Sequence, residues 1–302
     1  MTKQTSVNII YLDILYQIMD QDQAIQKFKE TLGFHDASEQ TLKRYPYVIK
    51  DFINYTKKED ASEIDKDDVI SYMMHLRRRG WGGNYRTFVF SVLRLFFESL
   101  EKPWQFSRKE GPKPVAPYRP WFTLEEVEKL LEVARSKKPK VHALVRIAAL
   151  TGPRRAELAN LKWGDYSFPK LRFETLKHGE IVDRIIDFET KDALDPMEKK
   201  KGRIFDISNV QMSSIFKGIK EEAGINKEKA GVHSLRRSLV TFLADAGLSD
   251  SKIGRYLGWK QASNIPMIDI YRQLDPKELQ KEVVKVHPLI PENEKENIIK
   301  LL

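Results

Sequence analysis

Apolar residues recur along this chain at helical spacing, and the pattern is broken near residue 106. From Leu12 to Leu32 the positions Leu15, Ile18, Met19, Ile25 and Phe28 fit one amphipathic helix or two in succession. A turn is expected at Gly33-Phe34-His35-Asp36. Ser38 then precedes a helix through Thr56, with Leu42, Tyr45, Val48, Ile49, Phe52 and Ile53 on one face. Asp65 to Arg79 repeats the pattern through Val69, Tyr72, Met73 and Leu76, and Gly80-Trp81-Gly82-Gly83 ends it. Tyr85 to Leu100 forms another helix, with Phe88, Val92, Leu95 and Phe96 inward. Residues 1–105 therefore read as a small helical bundle.

Residues 106–120 read as a linker. Pro112, Pro114, Pro117 and Pro120 alternate there with Lys109, Lys113 and Arg119, and proline keeps such a stretch extended. A second domain, 121–302, opens on the capping box Thr123-Leu124-Glu125-Glu126. Val141 to Leu150 is a nearly all-apolar helix expected at the centre of its core, and Ala156 to Trp163 continues helical. Leu171 to Phe188 alternates around His178-Gly179, as a hairpin or small sheet does. Ile204 to Ile207 fits one more short strand. Helical pieces follow from Val210, then a helix from Asp275-Pro276 to Val284 and a terminal one from Asn293 to Leu302. The fold class is mainly α: an N-terminal helical bundle and a C-terminal α-rich domain with a small β element.

Composition adds a partner class. Lys and Arg number 52 against 43 Asp and Glu, a net charge of +9 in 302 residues, which favours an anionic partner such as nucleic acid. The absence of cysteine excludes disulfides, cysteine-based zinc sites and thiol catalysis. The polar start, Met1-Thr2-Lys3-Gln4-Thr5, does not resemble a signal peptide, and a cytoplasmic location is expected.

Several residues carry candidate chemistry. Arg154 follows Thr151-Gly152-Pro153 at a break after the apolar helix, where Glu157 can brace it from the next turn; alone, it would pass for solvated charge. His233 and Arg236 are three apart in Val232-His233-Ser234-Leu235-Arg236 and share a face at a helix start. Trp259, after Leu257-Gly258, offers one indole donor. Tyr271 sits in polar Asp269-Ile270-Tyr271-Arg272-Gln273, a context that suits a nucleophile. Two arginines can fork onto phosphodiester oxygens, and a tyrosine can attack the phosphorus. Each residue alone has an ordinary packing or surface explanation.

Their order is what distinguishes them. Thr-Gly-x-Arg-x-x-Glu, a hairpin lysine, His-x-Leu-Arg, Leu-Gly-Trp and a late Tyr resemble the tyrosine recombinases, the integrase and Xer-like class. Thr41 to Tyr45, Phe52, Asp68-Val69, Tyr72, Leu76 and the helix from Tyr85 to Phe97 are similar to that family's core-binding domain, so the resemblance covers about residues 36 to 275. It implies that Arg154 and Arg236 clamp the scissile phosphate, that Tyr271 forms a 3′-phosphotyrosyl bond, that His233 takes or holds the tyrosine proton, and that Trp259 donates to a phosphate oxygen. The family's general-acid lysine is matched best by Lys177, with Lys191 as runner-up. Pro153 stands where the family has an apolar residue such as Leu or Met. Trp259 replaces the commoner histidine. The interval to Tyr271 is long and holds Ile265-Pro266, which leaves delivery within a subunit or to a neighbour open. Tyr256 is the other tyrosine nearby, on what should be a packed helix.

Duplex DNA is the implied partner, clamped between two domains, with a tetramer on DNA and a monomer or weak oligomer when free; no ATP, metal or other cofactor is implied, and the lack of a convincing carboxylate cluster or phosphate loop agrees with that. Lys43, Arg44, Arg77, Arg78, Arg79 and Arg86 are candidate DNA contacts away from the chemistry. The tail from Asp275 to Leu302 can either be exchanged between subunits or fold back on its own domain. A type IB topoisomerase and a non-catalytic DNA-binding relative are the alternative functions.

Overall fold

The computed structural model describes residues 19–107, 109–175, 181–197, 201–259 and 275–302. The chain divides into two compact units, 1–117 and 118–302.

Among the described residues the first unit packs four α-helices: α1 (Gln21–Phe34), α2 (Glu39–Thr56), α3 (Lys66–Arg78) and α4 (Gly83–Ser99). Their starts are set by short polar side chains. Asp20, Ser38 and Asp65 each accept a backbone N–H from the first turn that would otherwise lack a partner. Phe28, Ile49, Phe52, Ile53, Tyr72 and Phe96 fill the core. In α4 the buried stripe is Val89, Val92, Leu93 and Phe96, while Phe88 and Leu95 pack at its margins. The helix is apolar on several faces, so periodicity alone assigned the inward edge one position off. The proline-rich chain lies against the start of α4: Thr87 Oγ1 donates to the Pro112 carbonyl at 3.0 Å, and Val115 N donates to Asn84 Oδ1 at 2.9 Å.

The second unit begins with α5 (Leu124–Arg135), capped by the Thr123/Glu126 box, and α6 (Pro139–Thr151). Every residue of α6 from Ala143 to Thr151 is buried, including Arg146. A short helix α7 (Arg155–Asn160) leads to an antiparallel sheet, β1 (Tyr166–Ser167), β2 (Lys170–Glu174) and β3 (Ile181–Ile185), with Leu171 opposite Arg184 and Phe173 opposite Val182. Asp187 then caps a helix that the alternating pattern concealed, α8 (Phe188–Leu194). Ile204 to Ile207 is not a strand. Arg203 just before it makes an isolated bridge with Lys162, and Ile204 N donates to the Leu161 carbonyl, too little pairing to extend a ladder.

The unit is completed by α9 (Asn209–Glu222), α10 (Val232–Asp245), α11 (Asp250–Tyr256), α12 (Pro276–Val286) and α13 (Glu292–Leu301). The tail folds back on its own unit. Val283, Val284 and Ile298 are fully buried, and Glu294 accepts the Phe188 N–H at 3.1 Å. His287 between α12 and α13 is also buried: its Nε2 lies 3.0 Å from the Leu150 carbonyl, and its Nδ1 accepts from Leu289 N at 3.2 Å. Among the described residues no helix is long and apolar enough to cross a membrane.

Candidate active site

Three arginines converge on one carboxylate. α6 ends at Gly152, whose φ of +53° turns the chain sharply. A side chain at this glycine would crowd Leu239 at 3.0 Å and touch the Arg236 Cα at 3.5 Å, so a glycine here eases the close packing of α10. Arg154 is the N-cap of α7. Glu157, one turn on, accepts the Arg154 backbone N–H at 2.8 Å and Arg154 Nη1 at 2.6 Å. From β3, Arg184 Nη2 reaches Glu157 Oε2 at 3.4 Å, and from α10, Arg236 Nη1 lies 3.9 Å from the same oxygen.

Arg236 is 4% exposed and Arg184 is fully buried. Arg236 donates Nη1 to the Gly152 carbonyl at 2.6 Å and Nη2 to the Leu257 carbonyl at 3.0 Å. Arg184 donates to the Thr151 carbonyl at 3.3 Å and, from Nη2, to the same Leu257 carbonyl at 3.1 Å. Its guanidinium also lies over the Phe173 ring at 4.6 Å. Burial and then the neighbouring Arg184 charge pull the Arg236 pKa down to about 9, so it stays charged at neutral pH. Burial works to raise Glu157, but the Arg154 N–H and the surrounding guanidiniums hold it below the usual carboxylate value.

His233 stands one turn before Arg236 on the same face of α10. The imidazole is accessible to solvent yet partly desolvated. That desolvation, followed by repulsion from Arg237, Arg236, Arg154 and Arg119, lowers its pKa from the ordinary histidine value. A neutral imidazole at pH 7 can accept a proton. The Trp259 ring lies 5.8 Å from the Arg236 guanidinium. Gly258 before it has a φ of +63°, and a side chain there would collide with Thr175 Cγ2 at 2.6 Å. This contact brings the Leu257-Gly258-Trp259 turn against the stem of the β2–β3 connection.

Arg154, His233, Arg236 and Trp259 therefore meet in one place. Lys177 and Tyr271 lie outside the described residues. Lys191 is on α8, paired with Asp195. Tyr256 is buried, accepts the Ile185 N–H at 3.2 Å, and is pushed up to about 12 by burial. Arg184 was not anticipated from the sequence. The signal was present: it is a charge one residue before the apolar pair Ile185-Ile186, on a strand whose far end turns into the core.

The basic candidates of the first unit lie on three of its helices: Lys43 and Arg44 on α2, Arg77 to Arg79 at the end of α3, and Arg86 on α4. Arg77, Arg78 and Arg79 are exposed at the end of α3. Arg86 Nε donates to the Trp81 carbonyl at 3.1 Å, and Arg44 stacks on Phe88 at 4.2 Å. Lys43 is paired with Glu39 at 2.5 Å.

Comparison with known proteins agrees with this arrangement. The phage integrase family model matches residues 120–278, and the phage integrase N-terminal SAM-like domain matches 25–105. Tyrosine recombinase XerA of Pyrococcus furiosus is 25% identical over 283 residues, 88% of this chain and 95% of that protein. XerA of Thermococcus kodakarensis is 22% identical over 275 residues, 86% and 94% of the two chains. Among solved structures, a lambda integrase tetramer bound to a Holliday junction superposes with a TM-score of 0.67 at 18% identity, over 91% of this chain and 83% of that one. XerH bound to difH gives 0.62 at 18%, over 85% and 88%. These likenesses fix the fold, and the catalytic-domain match spans more than half of the sequence: the chain belongs to the phage integrase family.

Proposed function

We propose that this protein is a site-specific tyrosine recombinase that cleaves and rejoins duplex DNA. The observation that carries the reading is the charge of the Glu157 cluster. Among the described residues three guanidiniums surround a single carboxylate, which leaves two positive charges unmatched there. A phosphodiester brings one negative charge, and its five-coordinate transition state after attack by a tyrosinate brings two. The cluster therefore complements the transition state better than the ground state, which is what acceleration requires.

In this reading Tyr271 attacks the scissile phosphorus and passes its proton to His233. The bond to the 5′-oxygen breaks as the 3′-phosphotyrosyl bond forms, and Lys177 protonates the leaving oxygen. Arg154 and Arg236 hold the non-bridging oxygens, with the Trp259 indole as a further donor. The 5′-hydroxyl of a partner strand then attacks the phosphotyrosine and releases Tyr271. One phosphoester replaces another at each step, so bond energy is conserved and no high-energy cofactor is called for.

Exchange requires active centres from two duplexes to meet, and a tetramer on DNA supplies them. Lambda integrase has been solved as a dimer on a core site and as a tetramer on a Holliday junction, which supports that assembly. Lys43, Arg44, Arg77, Arg78, Arg79 and Arg86 supply phosphate contacts in the first unit, and the protein works where DNA is, in the cytoplasm. The type IB topoisomerase alternative finds no support among these relatives. The test is a suicide DNA substrate carrying the protein's own site. Wild type is expected to form a covalent adduct, and Tyr271→Phe to bind the same DNA without one. Adduct formation by the variant would overturn the assignment.

A further inference from the structure

We propose that Arg184 is a positioning residue for cleavage, holding Arg236 in place through acceptors that the two side chains share. The inference rests on the recombinase reading above and extends it to a residue that touches no substrate. Arg184 is fully buried on β3, so it cannot reach a phosphate. What it reaches are the groups that orient Arg236. Both side chains donate Nη2 to the Leu257 carbonyl, at 3.1 and 3.0 Å. Both approach Glu157 Oε2, at 3.4 and 3.9 Å. Arg184 also takes the Thr151 carbonyl, while Arg236 takes that of the adjacent Gly152. The two guanidiniums thus take the adjacent carbonyls of residues 151 and 152 and share the carbonyl of Leu257.

Two like charges buried side by side repel each other, and this one pair shares a single carboxylate. A protein that needed only packing at position 184 would place an aliphatic residue beside Phe173. An arginine here has a definite consequence. With Arg184 occupying one side of each shared acceptor, Arg236 is left the other side for its inner donors, and that fixes its outer edge. The Leu257 carbonyl is also two residues before Trp259, so the same bond steadies the turn that carries the indole. Removal of Arg184 leaves Glu157 and the Leu257 carbonyl free to draw Arg236 inward, away from the phosphate.

Single-turnover cleavage of the suicide substrate by the full chain, measured across DNA concentrations, tests this. Wild type is the control for the underlying reading: no adduct from wild type overturns that reading and the inference with it. With wild type active, Arg184→Gln is expected to cleave ~100-fold more slowly at saturating DNA, the scale of a displacement of about 1 Å at a reacting centre. Its half-saturating DNA concentration should stay within about threefold, because phosphate contacts elsewhere carry the affinity. A second substrate has a methylphosphonate at the scissile position, which removes the charge that Arg236 meets. The deficit should shrink ~10-fold there, since less transition-state charge remains to be stabilised. Arg184→Lys keeps the charge but not the fork, is expected to fall between the two, and carries the test if the Gln variant does not fold. A variant that cleaves like wild type at saturation overturns the role of Arg184. So does a deficit of equal size on both substrates, which marks a structural defect alone.

Discussion

Arg146 and Arg236 are both 4% exposed, yet their surroundings differ in charge balance. Arg146, in the middle of α6, donates Nε to Asp187 Oδ1 at 3.2 Å and pairs through Nη1 with Glu189 at 2.8 Å. Arg135 and His142 complete that group on Glu189, and Thr190 donates to Asp187. Two guanidiniums there face two carboxylates. At Glu157 three guanidiniums face one. A balanced buried network holds elements together and asks nothing of a ligand. In the unbalanced one the backbone carbonyls of residues 151, 152 and 257 take up guanidinium donors, and on the proposed function an incoming anion completes it. Burial of arginine does not by itself mark function; the unmatched charge does.

That contrast can be broken by substitution. Arg146→Met leaves Asp187 buried without its partner and is expected to lower unfolding free energy by about 3–5 kcal/mol in urea titrations. The cleavage rate of the protein that remains folded should be unchanged. Arg236→Lys should do the reverse. Cleavage is expected to fall ~10²–10³-fold, the usual loss for one transition-state donor, with a melting temperature close to that of wild type. If both variants lose stability and activity together, the division between the two networks fails.

A change of pH sharpens the same contrast on the scaffold side. His287 is neutral when folded: Nδ1 accepts from Leu289 N, so Nε2 carries the proton given to the Leu150 carbonyl. Burial lowers its pKa from 6.5 to about 4, against the raising effects of Leu150 and Asp187. The unfolded chain therefore takes up the proton first. The stabilisation is complete above pH 6.5 and is lost as pH falls from 6.5 to about 4, a decline on the order of 3 kcal/mol. Subtracting the profile of His287→Gln from that of wild type isolates this window, and a flat difference would show that the histidine does not anchor the tail.

Much of this was legible in the sequence. Helical periodicity, a local signal of a few residues, placed α2, α3 and α4, with Ser38 before α2; of the helix expected from Leu12 to Leu32, residues 12–18 with Leu15 and Ile18 lie outside the described residues. The Thr123/Glu126 box and the apolar α6 were equally plain. The resemblance carried by the order of Arg154, His233, Arg236 and Trp259 implied one site, and the structure puts Arg236 beside the Trp259 ring and Arg154 and His233 near it. Other features depended on contacts distant in sequence. Helix α8 is seven residues long and capped by an aspartate that also serves Arg146, so nothing in its own pattern announced it. Arg184 looked like one more charge on an alternating strand. Its burial follows from Glu157 and Leu257, 27 and 73 positions away. Whether the tail folds back or is exchanged could not be read from amphipathic spacing, which both outcomes satisfy.

The Glu157 cluster offers fixed charge and backbone carbonyls, and nothing that distinguishes one nucleobase from another. Such a centre is blind to genetic text: every phosphate in a duplex is chemically the same to it. Target choice must then be made by other surfaces, and the two tasks can drift independently. The catalytic core can be kept unaltered while the protein is retargeted, by rewriting only the side chains that meet base edges.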